Sequence, residues 1–123
     1  MKKINILKKN EDFNRIIKNN KPYKTKYFYI YLEWTDEKLY HFGLSVGKKI
    51  GNSVVRNKYK RRIKNIIDEK DYKNNFNCII ILRKEVLNLS FEDFKNSLLY
   101  SFDNWIIWQG IYICKVEIIV QKG

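Results

Sequence analysis

Histidine and cysteine, which bind most of the transition metals held by proteins, are almost missing from this 123-residue chain. His41 is the only histidine, and the two cysteines, Cys78 and Cys114, lie far apart in apolar surroundings. The usual zinc ligand sets and every histidine-based catalytic triad are therefore excluded. We expect both cysteines to be buried and reduced, and His41 to be structural or solvated.

Long hydrophobic runs are also missing. The most apolar stretch, residues 106–120, is interrupted by Gln109, Gly110, Lys115 and Glu117, so it falls short of the ~20 residues that a membrane-spanning helix needs. The lysine-rich N-terminus is not followed by an apolar segment or a small-residue cleavage site, so we expect no secretory signal and a cytoplasmic location. With 45% hydrophobic and 15% aromatic residues, the chain can bury the core of a single domain covering its whole length.

Acidic residues are fewer than basic ones. The chain has 13 Asp and Glu residues and 25 Lys and Arg residues, which gives a formal net charge of +12. The excess is concentrated in residues 48–64, where eight cations occur without any carboxylate. Ordinary exposed helices pair many of their lysines with glutamates four residues away. The remaining carboxylates form no constellation suited to metal-assisted hydrolysis, and no nucleophile–base pair stands out. The residues therefore favour a protein that binds a polyanion over a self-sufficient catalyst.

The hydrophobic periodicity predicts an α+β domain in the order α-β-β-α-β-α, followed by a β-like tail. The predicted helices are Asn10–Lys18, Ser53–Glu69 and a third that begins after Ser90. The predicted strands are Lys26–Trp34, Leu39–Val46, Asn77–Leu82 and, in the tail, Ile111–Val120. The third strand is apolar throughout, which is typical of a central strand covered on both faces.

Two helix starts and one helix face are specific enough to test. Asn10 is the predicted N-cap of the first helix, and Ser90 opens a capping box at the third. The spacing in the third helix predicts that five large apolar residues point inward. They are Phe91, Phe94, Leu98, Phe102 and Trp105.

The second predicted helix carries a basic face beside its apolar stripe. A loop bounded by Gly47 and Gly51 leads into it and ends at a helix N-terminus, where free N–H groups attract anions. The candidate anion-binding residues in this segment are Lys48, Lys49, Arg56, Asn57, Lys58, Lys60, Arg61 and Lys64.

Three tyrosines, Tyr27, Tyr29 and Tyr31, share one face of the first predicted strand. They could form a platform that stacks unpaired bases, or they could pack beneath the first helix. Phe13 faces the same choice between base stacking and packing.

One segment closely resembles the signature of the bacterial ribonuclease P protein family, since residues 43–64 read G-L-S-V-G-K-K-I-G-N-S-V-V-R-N-K-Y-K-R-R-I-K. The resemblance extends to L-K-K-N-E-D-F at 7–13, I-I-I-L-R-K at 79–84 and L-S-F-E-D-F-K-N-S-L at 89–98, so it covers about residues 4–100. It implies an α-β-β-α-β-α sandwich with a left-handed β-α-β crossover, an exception to the usual right-handed rule.

The resemblance also implies an accessory role in an enzyme whose catalyst is RNA. In this family the holoenzyme removes the 5′ leader from precursor transfer RNA, and the catalytic RNA works with Mg²⁺. The implied partners are the ribonuclease P RNA and precursor transfer RNA, with no membrane and no DNA. No catalytic residue and no dedicated metal site are expected on the protein itself.

Individual positions can be carried over from the family motif. Arg56, Asn57 and Lys58 correspond to its RNR-type element, in which Lys58 keeps the charge of an arginine but loses its fork geometry. Phe13 and Tyr31 correspond to the cleft that contacts the leader, although Ile17 replaces a second aromatic residue there.

Three other interpretations are less consistent with these residues. A ribosomal or RNA-assembly protein of the same fold would share the charge but has no reason to carry the full motif. A DNA-binding helix-turn-helix would need a helix just before the basic one, and a metal nuclease would need ligands that the sequence lacks. Residues 105–120 are atypical of the family, and we expect them to add a strand or extend the core.

Overall fold

The computed structural model describes residues 2–69, 71–72, 75–106 and 112–113. Within these residues the α-helices are Asn10–Asn19 (α1), Ser53–Asp68 (α2) and Phe91–Ser101 (α3). The strands are Tyr23–Lys24 (β1), Phe28–Trp34 (β2), Tyr40–Ser45 (β3), Asp71–Tyr72 (β4), Phe76–Leu82 (β5) and Tyr112–Ile113 (β6). Short 3₁₀ helices span Lys3–Asn5 and Lys84–Asn88, and a π-helical turn spans Phe102–Ile106.

The main sheet has the order β1-β2-β5-β3. β5 is antiparallel to β2 and parallel to β3, so the connection from β3 through α2 to β5 is a β-α-β crossover. The predicted α+β class and the order of its elements are confirmed. The left-handedness of this crossover remains an expectation that rests on the family resemblance.

The sheet separates a large core from a small one. Alternate residues of β2, such as Phe28 and Ile30, face the large core, where they meet buried residues of α2 and α3. On the other face, Ile16 of α1 packs against Ile79 of β5 in the small core. β5 is therefore central and covered on both faces, as its apolar sequence predicts.

Two local predictions are wrong. Asn10 is the first residue of α1 and not its N-cap, because the extended backbone ends one residue earlier, at Lys9, which makes no side-chain cap. Phe91 is 43% exposed instead of inward-facing. As the first residue of α3 it lies at the helix edge, over the guanidinium of Arg62. The Ser90 cap is confirmed, since its hydroxyl accepts a hydrogen bond from the Asp93 backbone.

The first predicted strand begins late because a turn precedes it. Thr25 Oγ1 accepts hydrogen bonds from the backbone N–H groups of Tyr27 and Phe28, and the chain before the turn pairs as β1, which the periodicity did not predict. In the predicted tail strand, Tyr112–Ile113 pairs antiparallel with β4, outside the main sheet. The rest of that strand, with Cys114, and the inward side chain predicted for Trp105 lie outside the described residues. No helix in the described part of the chain is long and apolar enough to cross a membrane.

Candidate nucleic-acid interface

The loop before α2 is fixed at both ends. Ile50 is buried in the large core, and its N–H donates to the Gly47 carbonyl in a tight turn, so Lys48 and Lys49 are held out in solvent. A Cβ at Gly51 would lie 3.0 Å from Val55, so only glycine lets the chain enter the helix this closely. Asn52 then caps α2 by accepting a hydrogen bond from the Val55 N–H.

α2 presents its basic residues away from the core. Ile63, Ile66 and Ile67 are buried against the sheet, while the predicted binding residues occupy the outer helix surface. Of these, Arg56, Lys60 and Lys64 are half-buried at their stems, and Asn57, Lys58 and Arg61 are exposed. No acidic residue occurs in the first turn of α2, so the positive helix end adds to the charge of the row.

Two arginines of α2 have different surroundings. Arg62 is stacked, with its guanidinium carbon 4.3 Å from the Phe91 ring centroid, so it joins α2 to α3 and does not belong to the basic row. Arg56 donates from Nη2 to Ser53 Oγ, but its Nε is buried and has no hydrogen-bond partner among the described residues. An unpaired buried donor of this kind carries a desolvation cost.

The opposite face of the sheet carries three transverse rows of residues, defined by the strand register of β2, β5 and β3. The polar row is Glu33–Asn77–His41, the central row is Tyr31–Ile79–Gly43, and the open row is Tyr29–Ile81–Ser45.

α1 covers the central row. Ile16 packs on Ile79 in the middle of the row, and the Phe13 ring lies directly on Gly43, where a Cβ would be 2.6 Å from Phe13 Cζ. Tyr31 lies at the other end of the row. The structure therefore brings Phe13 and Tyr31 to one face, on either side of Ile79, and both rings are half-buried.

The open row forms the floor of a groove, although Ile81 also packs against the small core. Its cavity of about 590 Å³ is lined by Tyr29 and Ile81 and bordered by four cations and by Glu85, whose Oε2 lies 3.7 Å from Arg83 Nε. The rim cations are Lys48, Lys49, Arg83 and Lys84. The loop cations thus border the groove and also lead into α2, so they connect the two faces.

Arg83 is the main groove residue that the sequence did not single out. Its guanidinium carbon lies 5.0 Å from the Tyr29 ring centroid, and its Nη1 donates to the Thr25 carbonyl. The one available signal was its position directly after the central strand, within the I-I-I-L-R-K segment. Periodicity could not show that this strand end lies beside Lys48 and Lys49.

The polar row is held together by hydrogen bonds. Asn77 Nδ2 donates to Glu33 Oε1, and Asn77 Oδ1 therefore accepts from His41 Nδ1, which must carry a proton. Arg15 of α1 bonds to both Glu33 oxygens and lowers the pKa of that carboxyl below its ordinary value, against the opposing effect of burial. His41 thus has the structural role expected for it.

Reactive groups are inert or dispersed in the described part of the chain. Burial raises the pKa of the Cys78 thiol far above its ordinary value, so it stays protonated. No group of three His, Cys, Asp or Glu residues suited to a metal ion occurs among the described residues. The arrangement suits binding of an extended anion on two faces.

Comparison with known proteins identifies the family. The family model for ribonuclease P matches residues 1–105. The ribonuclease P protein component of Bacillus velezensis is 44% identical over 104 residues, covering 83% of this chain and 90% of that protein. Its counterpart in Mycoplasma mycoides is 40% identical over 107 residues, covering 80% and 94%.

Solved structures give the same result. A Staphylococcus aureus RNase P protein mutant with defective mRNA degradation activity superposes with a TM-score of 0.74 at 31% identity, covering 82% of this chain and 87% of that one. The RNase P protein from Thermotoga maritima gives 0.66 at 26% identity, covering 76% and 91%. By sequence, motif and fold, the chain belongs to the family of ribonuclease P protein components, the protein subunits of the ribonuclease P holoenzyme.

Proposed function

We propose that this chain binds the ribonuclease P RNA through the basic face of α2 and holds the leader of precursor transfer RNA in the groove on the opposite face. The observation that carries the proposal is the separation of two cationic surfaces by the sheet. One surface is a row of side chains on a helix, and the other is a rim around an aromatic floor.

The α2 face suits a folded RNA backbone. Its cations follow one side of a 16-residue helix, and a rigid row of Lys and Arg neutralises successive phosphates and releases their counterions. Arg56 adds a guanidinium to this row, and a guanidinium binds phosphate oxygens through charge-assisted hydrogen bonds. Neither feature reads base identity, which fits recognition of an RNA by its shape.

The groove suits a single strand. Tyr29 and Tyr31 are two residues apart on β2, so their Cα atoms are ~7 Å apart, which matches the spacing of nucleotides whose bases are not stacked on each other. Base stacking on aromatic side chains tolerates any sequence, as a leader of variable sequence requires. The rim cations, Arg83 among them, would pair with the phosphates of the same strand.

The protein assists catalysis in this proposal and does not perform it. The RNA uses Mg²⁺, and the protein places additional positive charge beside the substrate and the RNA. The requirement for Mg²⁺ should then fall in its presence, because both the divalent ion and the protein screen the same phosphates. The cytoplasmic location expected from the sequence stays a prediction.

Reconstitution tests the proposal directly. We expect the purified protein alone to leave precursor transfer RNA intact and, with a bacterial ribonuclease P RNA, to support 5′-leader cleavage at low Mg²⁺. The holoenzyme should bind precursor with a leader of several nucleotides more tightly than mature transfer RNA. Correct cleavage by RNA-free protein would overturn the assignment of catalysis to the RNA.

The leader groove has a separate test in two aromatic residues. Phe13→Ala and Tyr31→Ala should each weaken precursor binding by about 1–3 kcal/mol if the rings stack on bases, and leave mature transfer RNA and assembly with the RNA unchanged. If the rings serve only the small core, thermal melts should instead show a loss of about 3–5 kcal/mol. Equal losses for precursor and mature transfer RNA would also refute the groove.

A further inference from the structure

α1 lies between two unlike surfaces of the sheet. One side of the helix carries Phe13 and Ile17, which pack in the small core beside the groove. The other side carries Asp12 and Arg15, which line a separate polar cavity over the polar row. The position of α1 across the strands therefore decides how far Phe13 reaches toward the open row.

A polar clamp fixes that position. Arg15 Nε and Nη2 donate to Glu33 Oε2 and Oε1 at 3.2 and 2.9 Å, and its Nη1 donates to Asp12 Oδ1 at 2.7 Å. All three guanidinium nitrogens thus donate a hydrogen bond. The two parallel bonds to Glu33 form a fork that defines both the distance and the orientation of α1 over β2. Apolar contacts alone leave a short helix freer to slide and roll, since they have no directional preference.

Glu33 is itself held in place by hydrogen bonds within the sheet. Asn77 is 5% exposed, donates to Glu33 at 3.0 Å and accepts from His41 at 2.8 Å. The chain of contacts crosses all three long strands of the sheet, so the Glu33 carboxylate cannot turn with Arg15 if the helix shifts. A rigid anchor of this kind transmits its position to whatever the helix carries on its other side.

We propose that Arg15 and Glu33 are positioning residues for leader binding, which set the position of α1 and with it the placement of the Phe13 ring on Gly43, in the central row beside the groove. This inference rests on the leader groove proposed above. Neither residue touches the leader, and both act through α1. The basic row of α2 lies on the opposite face of the sheet, so assembly with the RNA does not depend on the clamp.

The test uses the reconstituted holoenzyme and compares the affinity for precursor, carrying a leader of several nucleotides, with that for mature transfer RNA. Arg15→Ala should reduce this preference by about three- to tenfold, the effect of losing one charge-assisted fork. Glu33→Gln, which keeps an oxygen for Asn77, should reduce it similarly. The two changes together should cost no more than one, because they break the same clamp.

Charge provides the sharpest control. Arg15→Ala removes a positive charge and Glu33→Gln removes a negative one, so a purely electrostatic effect on RNA binding would have opposite signs in the two variants. Lys18→Ala removes the same charge as Arg15→Ala from an exposed position of α1 and should keep the wild-type preference. For both clamp variants we expect KM for precursor to rise while kcat stays constant.

The outcomes separate the two proposals. If the wild-type holoenzyme shows no preference for precursor, the leader groove itself is wrong. If the wild type shows the preference and Arg15→Ala retains it, or if the two clamp variants shift it in opposite directions, the clamp is wrong. Arg15→Lys, which keeps the charge without the fork, should give an intermediate loss at unchanged melting temperature, and this variant decides the matter if Arg15→Ala is too unstable to assay.

Discussion

The effect of Gly43→Ala on the free energy of unfolding is expected to change sign when the residue at position 13 is changed. Gly43 is buried in β3, and an added Cβ would lie 2.6 Å from Phe13 Cζ and 3.1 Å from both neighbouring ring carbons. Alanine in a strand should otherwise stabilise by about 0.5–1 kcal/mol, because it restricts the unfolded chain more than glycine does. Against this, forcing a methyl group into packed surroundings costs about 1–3 kcal/mol. The net expectation is a destabilisation of about 0–2.5 kcal/mol.

The same substitution should be neutral or stabilising when Phe13 is replaced by Leu, whose shorter side chain leaves room for the methyl group. Urea unfolding of the wild type, both single variants and the double variant gives the coupling free energy, which we expect to be about 1–2 kcal/mol. A coupling near zero would refute the close packing of Phe13 on β3. Since the methyl group pushes the ring outward, precursor binding should fall in Gly43→Ala as well.

Three further predictions concern charge and stacking. Replacing Arg56, Lys60 and Arg61 together by Ala should reduce the slope of log affinity for the RNA against log salt concentration by ~0.7–0.9 per lost phosphate contact. The melting temperature should not change. An unchanged slope would place the RNA site elsewhere. Tyr29→Ala should weaken precursor binding by about 1–3 kcal/mol in filter-binding assays without affecting mature transfer RNA. Glu33→Gln should be less stable than the wild type by about 1 kcal/mol at pH 7. Because the folded pKa of Glu33 is lowered, this difference should begin to shrink as the pH falls below about 4, where the unfolded carboxyl is protonated, and should vanish only once the folded carboxyl is protonated as well. A difference in urea titrations that does not shrink at all below pH 4 would show that the carboxylate charge is not its cause.

Much of the fold followed from local pattern. Alternating residues in β2 and the 3.6-residue period of α2 are properties of consecutive residues, so the sequence alone placed these elements within a few positions. The basic row needed only the helix period and the charges. The errors at Asn10 and Phe91 both fall at helix ends, where one residue of shift changes a cap or a face.

The groove and the clamp could not be predicted in the same way. Arg83 borders Lys48 only because β5 lies beside β3, and Arg15 reaches Glu33 only because α1 crosses the strands at one angle. Strand order and helix angle depend on packing between distant parts of the chain. The sequence therefore identified Phe13 and the three tyrosines as aromatic candidates, but not Arg83 beside Tyr29.

The parallel pairing of β3 with β5 has a consequence for folding. α2 lies in the segment of chain that connects these two strands, so its cations take up their positions on one surface only when the sheet has formed. RNA should therefore bind the folded chain in preference to the unfolded one, and its binding should stabilise the whole domain by ~2.7 kcal/mol at a free concentration one hundred times Kd. Holoenzyme assembly would then act as a folding cofactor for its own protein subunit.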